Sequence, residues 1–176
     1  MAVIRPAARG GVASMHVDPK IERAVQIMQT AYERQRAGDL EEAIQLYKAS
    51  IEQHPTAEAH TYLGWTYSHQ GRYDEAIEEC KIAITVDPQF GNPYNDIGSY
   101  LIQKGLFDQA IPWLEMAKKA PRYEPRHFPY LNLFRVYMKL GRVDAAQREI
   151  EQARFIQQSL EVASGAAEEE GPATLH

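Results

Sequence analysis

The sequence predicts an all-α protein: an α-solenoid of about four stacked helix-turn-helix hairpins with a C-terminal capping helix region. Two observations support this prediction. Glycines recur at separations of 33, 34 and 36 residues, as Gly38, Gly71, Gly105 and Gly141. On either side of each glycine, apolar and small residues are spaced as they are on one face of a helix. Four such hairpins exceed the roughly three that are needed to bury a continuous core.

Small residues recur at two fixed distances after each glycine. Five residues after it the sequence has Ala43, Ala76, Ala110 and Ala146, and twelve residues after it Ser50, Ala83, Ala117 and Ala153. Where two helices cross closely there is no room for a longer side chain, so this repetition indicates the same close crossing in every hairpin.

The glycines and the acids that follow them mark the turns. Glycine adopts the left-handed conformation that commonly ends a helix. Three residues after each glycine stands an acid, which suits the first turn of a helix: Glu41, Asp74, Asp108 and Asp144. We expect Asp74 to cap the helix that follows Gly71.

These positions resemble the tetratricopeptide repeat, a family whose unit is about 34 residues long. The resemblance covers roughly residues 20–158. The second repeat carries it through Leu63, Gly64, Tyr67, Gly71, Tyr73, Ala76, Ala83 and Pro88, and the third through Tyr94, Ile97, Gly98, Gly105, Phe107, Ala110 and Ala117. The first repeat departs at Thr30 and Arg34, and the fourth at Phe134. The resemblance implies a non-catalytic scaffold that binds a protein or peptide in a concave groove.

The chain divides into three parts. We expect residues 1–17 to be a disordered extension, 18–162 to form the repeat domain, and 163–176 to be a disordered acidic tail. The repeats are predicted at about 20–56, 57–90, 91–124 and 127–160. The last helix is expected from about Asp144 through Gln158, with a possible extension to Val162.

Composition limits the partners and the compartment. The hydrophobic fraction is 44%, the charged fraction 24% and the net charge −5, which gives no general case for binding nucleic acid. No apolar run is long enough for membrane insertion. The single cysteine, Cys80, excludes an internal disulfide and fits a reducing compartment, so a cytoplasmic location is expected.

No catalytic, metal-binding or cofactor motif has the required spacing, so we expect neither an enzyme nor a cofactor. Cys80 lies in a column of core residues and is expected to be buried. His60 is interpreted as a hydrogen-bonded core histidine. It lies nine residues before His69, a spacing that puts the two on opposite faces of a helix, so they cannot bind one metal ion together.

The predicted binding surface is the free face of the first helix of each hairpin, because stacking places these faces side by side. Its candidate partner-binding residues are Met28, Tyr32, Tyr62, Trp65, His69, Asn95, Ser99, Asn132 and Arg135. The aromatic side chains would anchor a partner and the amides would hydrogen-bond the backbone of an extended peptide. Alternatively, Tyr32, Tyr62 and Trp65 only pack against neighbouring helices. Some tetratricopeptide proteins hold chaperone tails with a carboxylate clamp of Lys, Asn and Arg, and this sequence lacks one.

A local basic cluster stands out against the acidic chain at the joint between repeats three and four. It consists of Lys118, Lys119, Arg122 and Arg126. It is either a solvated, stiff linker or a contact site for an anionic partner.

Two functions remain open at this stage. The first is the adaptor that binds a protein or peptide in its groove. The second is a self-associating structural subunit, a homo-oligomer formed through an end of the solenoid or through the helix near Ile150 and Ile156.

Overall fold

A computed structural model describes residues 18–169, with side chains up to residue 162. In this part of the chain eight α-helices follow one another and no strand is present. They are α1 (Pro19–Ala37), α2 (Leu40–Gln53), α3 (Ala57–His69), α4 (Tyr73–Val86), α5 (Asn92–Gln103), α6 (Phe107–Lys119), α7 (Phe128–Lys139) and α8 (Val143–Glu169). The predicted disordered extension, 1–17, lies outside the described residues.

The helices pack as four successive antiparallel hairpins, α1 with α2, α3 with α4, α5 with α6 and α7 with α8. Each odd-numbered helix also contacts the next odd-numbered one. Within the described residues the backbones of the even-numbered helices stay apart from one another, although the Lys118 side chain of α6 binds Glu149 of α8. The odd-numbered helices therefore form the inner, concave layer of the solenoid. The predicted all-α helical repeat is confirmed.

Each hairpin turns at a glycine in the left-handed conformation. At Gly71 φ is +73°. The Gly71 amide donates to the Ser68 carbonyl at 3.0 Å, and the Arg72 amide donates to the Tyr67 carbonyl at 3.1 Å. These two bonds satisfy carbonyls that the end of α3 would otherwise leave without a partner. Glycine is required here because a side chain at this φ would be strained.

The small residues do allow close crossings. Ala43, Ala76 and Ala110 are fully buried. At Gly98 a Cβ atom would stand 2.5 Å from the Leu114 side chain, which itself is fully buried. The crossing of α5 and α6 therefore has no room for a side chain at position 98.

The acids that follow the glycines connect successive repeats rather than cap helices. The amide of Gln70 donates to the Glu41 carboxylate at 2.8 Å, Lys104 binds Asp74, and Arg142 donates to Asp108 at 3.0 Å. The prediction for Asp74 was wrong, because α4 begins at Tyr73 and no side chain caps it. Asp74 instead faces the turn of the next hairpin, where it binds Lys104.

The joint between α6 and α7 packs onto the loop between α4 and α5. The Gly91 amide donates to the Arg122 carbonyl at 2.8 Å, and the Arg122 amide donates to the Gln89 carbonyl at 3.1 Å. Tyr123 is buried, and a Cβ atom at Gly91 would lie 2.4 Å from its Cβ. The joint is therefore a packed part of the solenoid, rather than the solvated linker that the basic cluster had suggested.

The last helix is longer than expected. It continues to Glu169, whereas the sequence predicted a disordered tail from residue 163. Extending a helix that has already formed costs much less than starting one, and residues 166–169 are alanine and glutamate, both good helix formers. The rest of the predicted tail, 170–176, lies outside the described residues.

Replacing Ala110 by leucine should lower the free energy of unfolding by about 1 to 3 kcal/mol, because the larger side chain overpacks a closed crossing. Gln109→Leu is the matched control, since Gln109 is exposed on the same helix and its replacement should be nearly neutral. Chemical denaturation measures both. Equal losses would contradict the packing register described here.

Candidate functional site

Three depressions lie next to one another on the inner layer, and together we call them the groove. The first, of about 280 Å³, is the aromatic pocket; it is lined by Tyr32, Glu58, Thr61, Tyr62, Trp65, Phe90, Asn92 and Asp96. The second, of about 340 Å³, is lined by Trp65, Ser68, His69, Tyr73, Asp96, Ser99, Tyr100 and Gln103. The third, of about 280 Å³, is lined by Met28, Gln29, Tyr32, Glu33 and Tyr62.

The depressions are continuous because they share side chains. Tyr32 and Tyr62 line the first and the third, while Trp65 and Asp96 line the first and the second. The groove therefore runs across α1, α3 and α5, with α3 in its middle. This arrangement suits an elongated ligand better than a compact one.

A larger depression, of about 480 Å³, lies away from the groove between α4 and α6. Its lining is mostly charged, and the contact of Lys104 with Asp74 crosses it. Because these side chains are already paired with each other, the depression offers a ligand few free groups.

The three aromatic side chains of the groove are both packed and exposed. The Tyr62 ring lies 5.6 Å from the Tyr32 ring and stacks on the buried Tyr47 ring at 5.9 Å, measured between centroids. Yet Tyr32, Tyr62 and Trp65 remain 41%, 37% and 39% exposed. Packing fixes their orientation and leaves part of each side chain exposed, and their contact with a partner stays a prediction.

His69 stands beside Trp65. Its ring meets the indole edge-on at 4.3 Å between centroids, and its Nδ1 atom lies 2.9 Å from the Trp65 carbonyl oxygen. Ser99 lines the same second depression from α5. The two residues therefore lie in the groove, and Met28 does so at its other end.

The two predicted amides are not free. Asn132 Nδ2 donates to Asn95 Oδ1 at 3.0 Å, and both residues are buried. Arg135 is exposed on α7, and its Nη1 atom donates to Asn132 Oδ1 at 3.4 Å. Sequence reasoning had placed these amides where a peptide backbone could reach them. Their mutual hydrogen bond instead joins the inner helices α5 and α7.

Asp96 is the most unusual charged group in the groove. It is partly buried on α5, and within the described residues it has no ion pair. Burial raises the pKa of this carboxyl group to about 7, against the effect of a hydrogen bond from Asn95. Removing an unpaired carboxylate from water disfavours its charged form.

The basic cluster is divided between different partners. Lys118 binds Glu149 of α8 at 3.1 Å, and Arg126 lies 3.4 Å from Glu124. Arg122 binds a different partner, Glu58 of α3. Three of the four cations are thus paired within the chain, and Lys119 is exposed. The hypothesis of an anionic contact site remains untested.

Sequence reasoning missed part of the aromatic pocket. Phe90, in the loop between α4 and α5, and Glu58, in the first turn of α3, belong to its lining. Arg122 joins them, because its guanidinium group lies 4.7 Å from the Phe90 ring centroid and donates to Glu58 at 3.0 Å. The signal in the sequence is a large apolar residue, Phe90, next to Gly91 in the loop between two predicted helices.

Two further titratable groups, His60 and Cys80, are buried between helices. His60 Nδ1 lies 2.7 Å from Glu79 Oε2, which joins α3 to α4. Cys80 is fully buried, and burial raises the pKa of its thiol. Among the residues that the structure describes, no three His, Cys, Asp or Glu side chains are grouped as metal ligands would be. None of the described helices combines the length and the apolar character required to cross a membrane.

Comparison with known families and sequences agrees with this architecture. The model of the tetratricopeptide repeat family matches residues 28–91. An uncharacterized protein of Haemophilus influenzae is 27% identical over 97 residues, which cover 55% of this chain and 54% of that protein. The small glutamine-rich tetratricopeptide repeat-containing protein 2 of Mycosarcoma maydis is 29% identical over 95 residues, or 53% of this chain and 27% of that protein. The chain thus spans about half of one relative and about a quarter of the other.

Solved structures share the fold. Pseudomonas aeruginosa pilF superposes with a TM-score of 0.74 at 20% identity, over 80% of this chain and 64% of that one. PilW, described as a widely conserved type IV pilus biogenesis factor, gives 0.71 at 19% identity, over 77% and 63%. MamA gives 0.64 at 26% identity, over 73% and 74%. At 20% and 19% identity the first two similarities concern the fold alone.

Asp96→Asn should stabilise the protein at high pH. Because the pKa of Asp96 is raised from about 4 to about 7, the folded protein holds this proton more tightly than the unfolded chain does. Its contribution to stability therefore falls as pH rises from about 4 to about 7. The other titratable groups near it are Glu58, His69, Cys80 and the tyrosines Tyr32, Tyr62, Tyr73, Tyr100 and Tyr123.

We expect the melting temperature of Asp96→Asn to exceed that of the wild type by a few degrees at pH 8 and to equal it near pH 4. Asp144→Asn, an exposed substitution on α8 with the same charge change, is the control. A gain that is the same at both pH values, or an equal gain in the control, would contradict this account of Asp96.

Proposed function

We propose that this chain, whose residues 28–91 match the model of the tetratricopeptide repeat family, is a non-catalytic adaptor that binds a protein or peptide partner in the groove. The tetratricopeptide fold is typical of scaffolds for protein interaction. The observation that carries the proposal is the joint exposure of Tyr32, Tyr62 and Trp65 on the inner layer. Aromatic side chains that are held in place by packing give large contact areas at low cost in entropy.

The shape of the groove supports an extended ligand. Its three depressions are joined through shared side chains and cross three successive inner helices. Ser68, Ser99 and Gln103 line the second depression, where polar groups could hydrogen-bond the backbone of a peptide. Asn95 and Asn132 are not part of this role, because they bond to each other.

We further propose that the protein acts in the cytoplasm without a cofactor and without catalysing a reaction. Cys80, the single cysteine of the sequence, is a buried free thiol, which suits a reducing compartment. Burial raises the pKa values of the Tyr47 and Tyr100 hydroxyl groups and of this thiol. Raised values keep these groups protonated, and thus poor nucleophiles, at neutral pH.

A capture experiment tests the adaptor function. The wild-type protein and the double variant Tyr62→Ala, Trp65→Ala are immobilised and exposed to an extract of the source cells, and bound proteins are identified by mass spectrometry. We expect the double variant to lose the partners of the wild type. Truncating an aromatic side chain that anchors a partner costs about 2 kcal/mol or more of binding free energy, and this variant truncates two. Circular dichroism verifies that it is folded.

The matched control removes two exposed apolar side chains from the outer layer. Ile82 and Val86 lie on α4 and are 44% and 45% exposed, so Ile82→Ala, Val86→Ala should keep the partners. If the groove variant retains every partner, or the control loses the same ones, the binding surface is not the groove.

Self-association is a second candidate, favoured by one observation on α8. Phe155, Leu160 and Val162 are 66%, 45% and 73% exposed. A helix with several exposed large apolar side chains at the end of a solenoid can pack against a second copy. The Ile156 side chain is partly covered. Phe155 is therefore the more informative position for a test.

If α8 mediates self-association, sedimentation analysis of the wild type should show a mass that rises with concentration. Phe155→Glu should then give the monomer mass at every concentration, because a charge in a closed apolar contact costs more than the contact yields. Gln157→Glu is the control, since it introduces the same charge at an exposed polar position on the side of α8 away from Phe155 and Val162. A wild type that remains monomeric at high concentration would exclude this candidate.

A further inference from the structure

The geometry points to a cationic side chain as the ligand of the aromatic pocket. We propose that Asp96, Trp65, Tyr62 and Phe90 receive an arginine or lysine side chain of the partner, so that the partner presents a basic, extended segment. This inference rests on the proposed function and names the chemistry of its ligand. The absence of a carboxylate clamp already separates this groove from those that bind acidic tails.

The charge of the groove favours a cationic ligand. The side chains that line its three depressions include three carboxylates, Glu33, Glu58 and Asp96, and neither a lysine nor an arginine among the described residues. Glu58 is already paired with Arg122. Asp96 has no such partner, and it lies where the first two depressions meet. A partly buried carboxylate without a counter-charge gains most from a cation.

The aromatic side chains that line the pocket also favour a cationic ligand. Cations bind the faces of Trp, Tyr and Phe rings, and more strongly where water is displaced. Trp65 and Tyr62 are each about two-fifths exposed, and both line the depression that Asp96 lines. A pocket lined by both a carboxylate and aromatic side chains matches both parts of a basic side chain, because the stem of that side chain is apolar and its end is charged.

The protein already places a guanidinium group, that of Arg122, at the edge of this pocket. The Arg122 guanidinium lies 4.7 Å from the Phe90 ring centroid and donates to Glu58 at 3.0 Å and to Asp87 at 2.6 Å. The combination of ring and carboxylate thus binds a cation on one side of the pocket. Asp96 and Trp65 offer the same combination on the other side, where no cation of the described chain stands.

The length of the groove favours a polypeptide over a small cation. The aromatic pocket of about 280 Å³ accommodates one side chain, and depressions continue from it on both sides through Tyr32 and Trp65. A partner that extends along the groove would place one basic residue at Asp96 and lay its neighbours against the other two depressions.

The test uses blocked pentapeptides of glycine and serine with one central residue, which is arginine, lysine or citrulline. Citrulline is the neutral isostere of arginine. Binding to the full chain is followed by NMR through the indole N–H signals of the two tryptophans. We expect the arginine and lysine peptides to shift the Trp65 signal saturably and to leave the Trp113 signal unchanged. Citrulline should bind at least about tenfold more weakly, which corresponds to about 1.4 kcal/mol.

Two variants separate the pocket from general attraction. Asp96→Asn, which we expect to be at least as stable as the wild type, should lower the affinity for the cationic peptides by about tenfold or more. Asp144→Asn changes the net charge equally on α8 and should bind as the wild type does. The inference is overturned if neither cationic peptide shifts Trp65, if citrulline binds as tightly as arginine, or if Asp96→Asn binds unchanged.

The capture experiment then separates this inference from the proposed function. If Asp96→Asn keeps the partners that Tyr62→Ala, Trp65→Ala loses, the groove binds a partner without recognising a cation, and only the inference fails. If both variants keep every partner, the proposed function fails as well.

Discussion

The close crossing of the two helices in each hairpin is the constraint on which the other features depend. Gly98 has no space for a Cβ atom against Leu114, and Ala76 and Ala110 are fully buried where their hairpins cross. Because every hairpin closes in this way, the inner helices come into contact with one another. Side chains from three separate repeats thereby line one groove, which no single hairpin could form.

The joint between repeats three and four connects this scaffold to the binding site. Tyr123 is buried against Gly91, and the backbone of Arg122 pairs with the loop between α4 and α5. The side chain of Arg122 then stacks on Phe90 and binds Glu58. Three of the four basic residues of the joint are therefore paired within the molecule, and one of them, Arg122, contacts the Phe90 wall of the aromatic pocket. The sequence did not reveal the role of Arg122, because its acidic partners Glu58 and Asp87 come from another repeat.

The sequence was informative wherever a feature repeats. The glycines, the alanines and the apolar columns determined the hairpins and identified the inner face, because each is required by the same local packing in every unit. Features that occur once were harder to predict. The Asn95 to Asn132 hydrogen bond depends on the distance between α5 and α7, and the pocket wall at Phe90 depends on the path of a loop. The length of α8 was underestimated because low hydrophobicity was weighted above the helix propensity of alanine and glutamate.

The most direct measurement of the central claim is a crystal structure of the protein with a bound segment of its captured partner. The account predicts an extended chain along α1, α3 and α5, with a lysine or arginine nitrogen within about 4 Å of the Asp96 carboxylate, at ion-pair distance, and its stem against Trp65. A partner seated on the outer layer or on α8, or one that places an acidic or apolar side chain at Asp96, would contradict it.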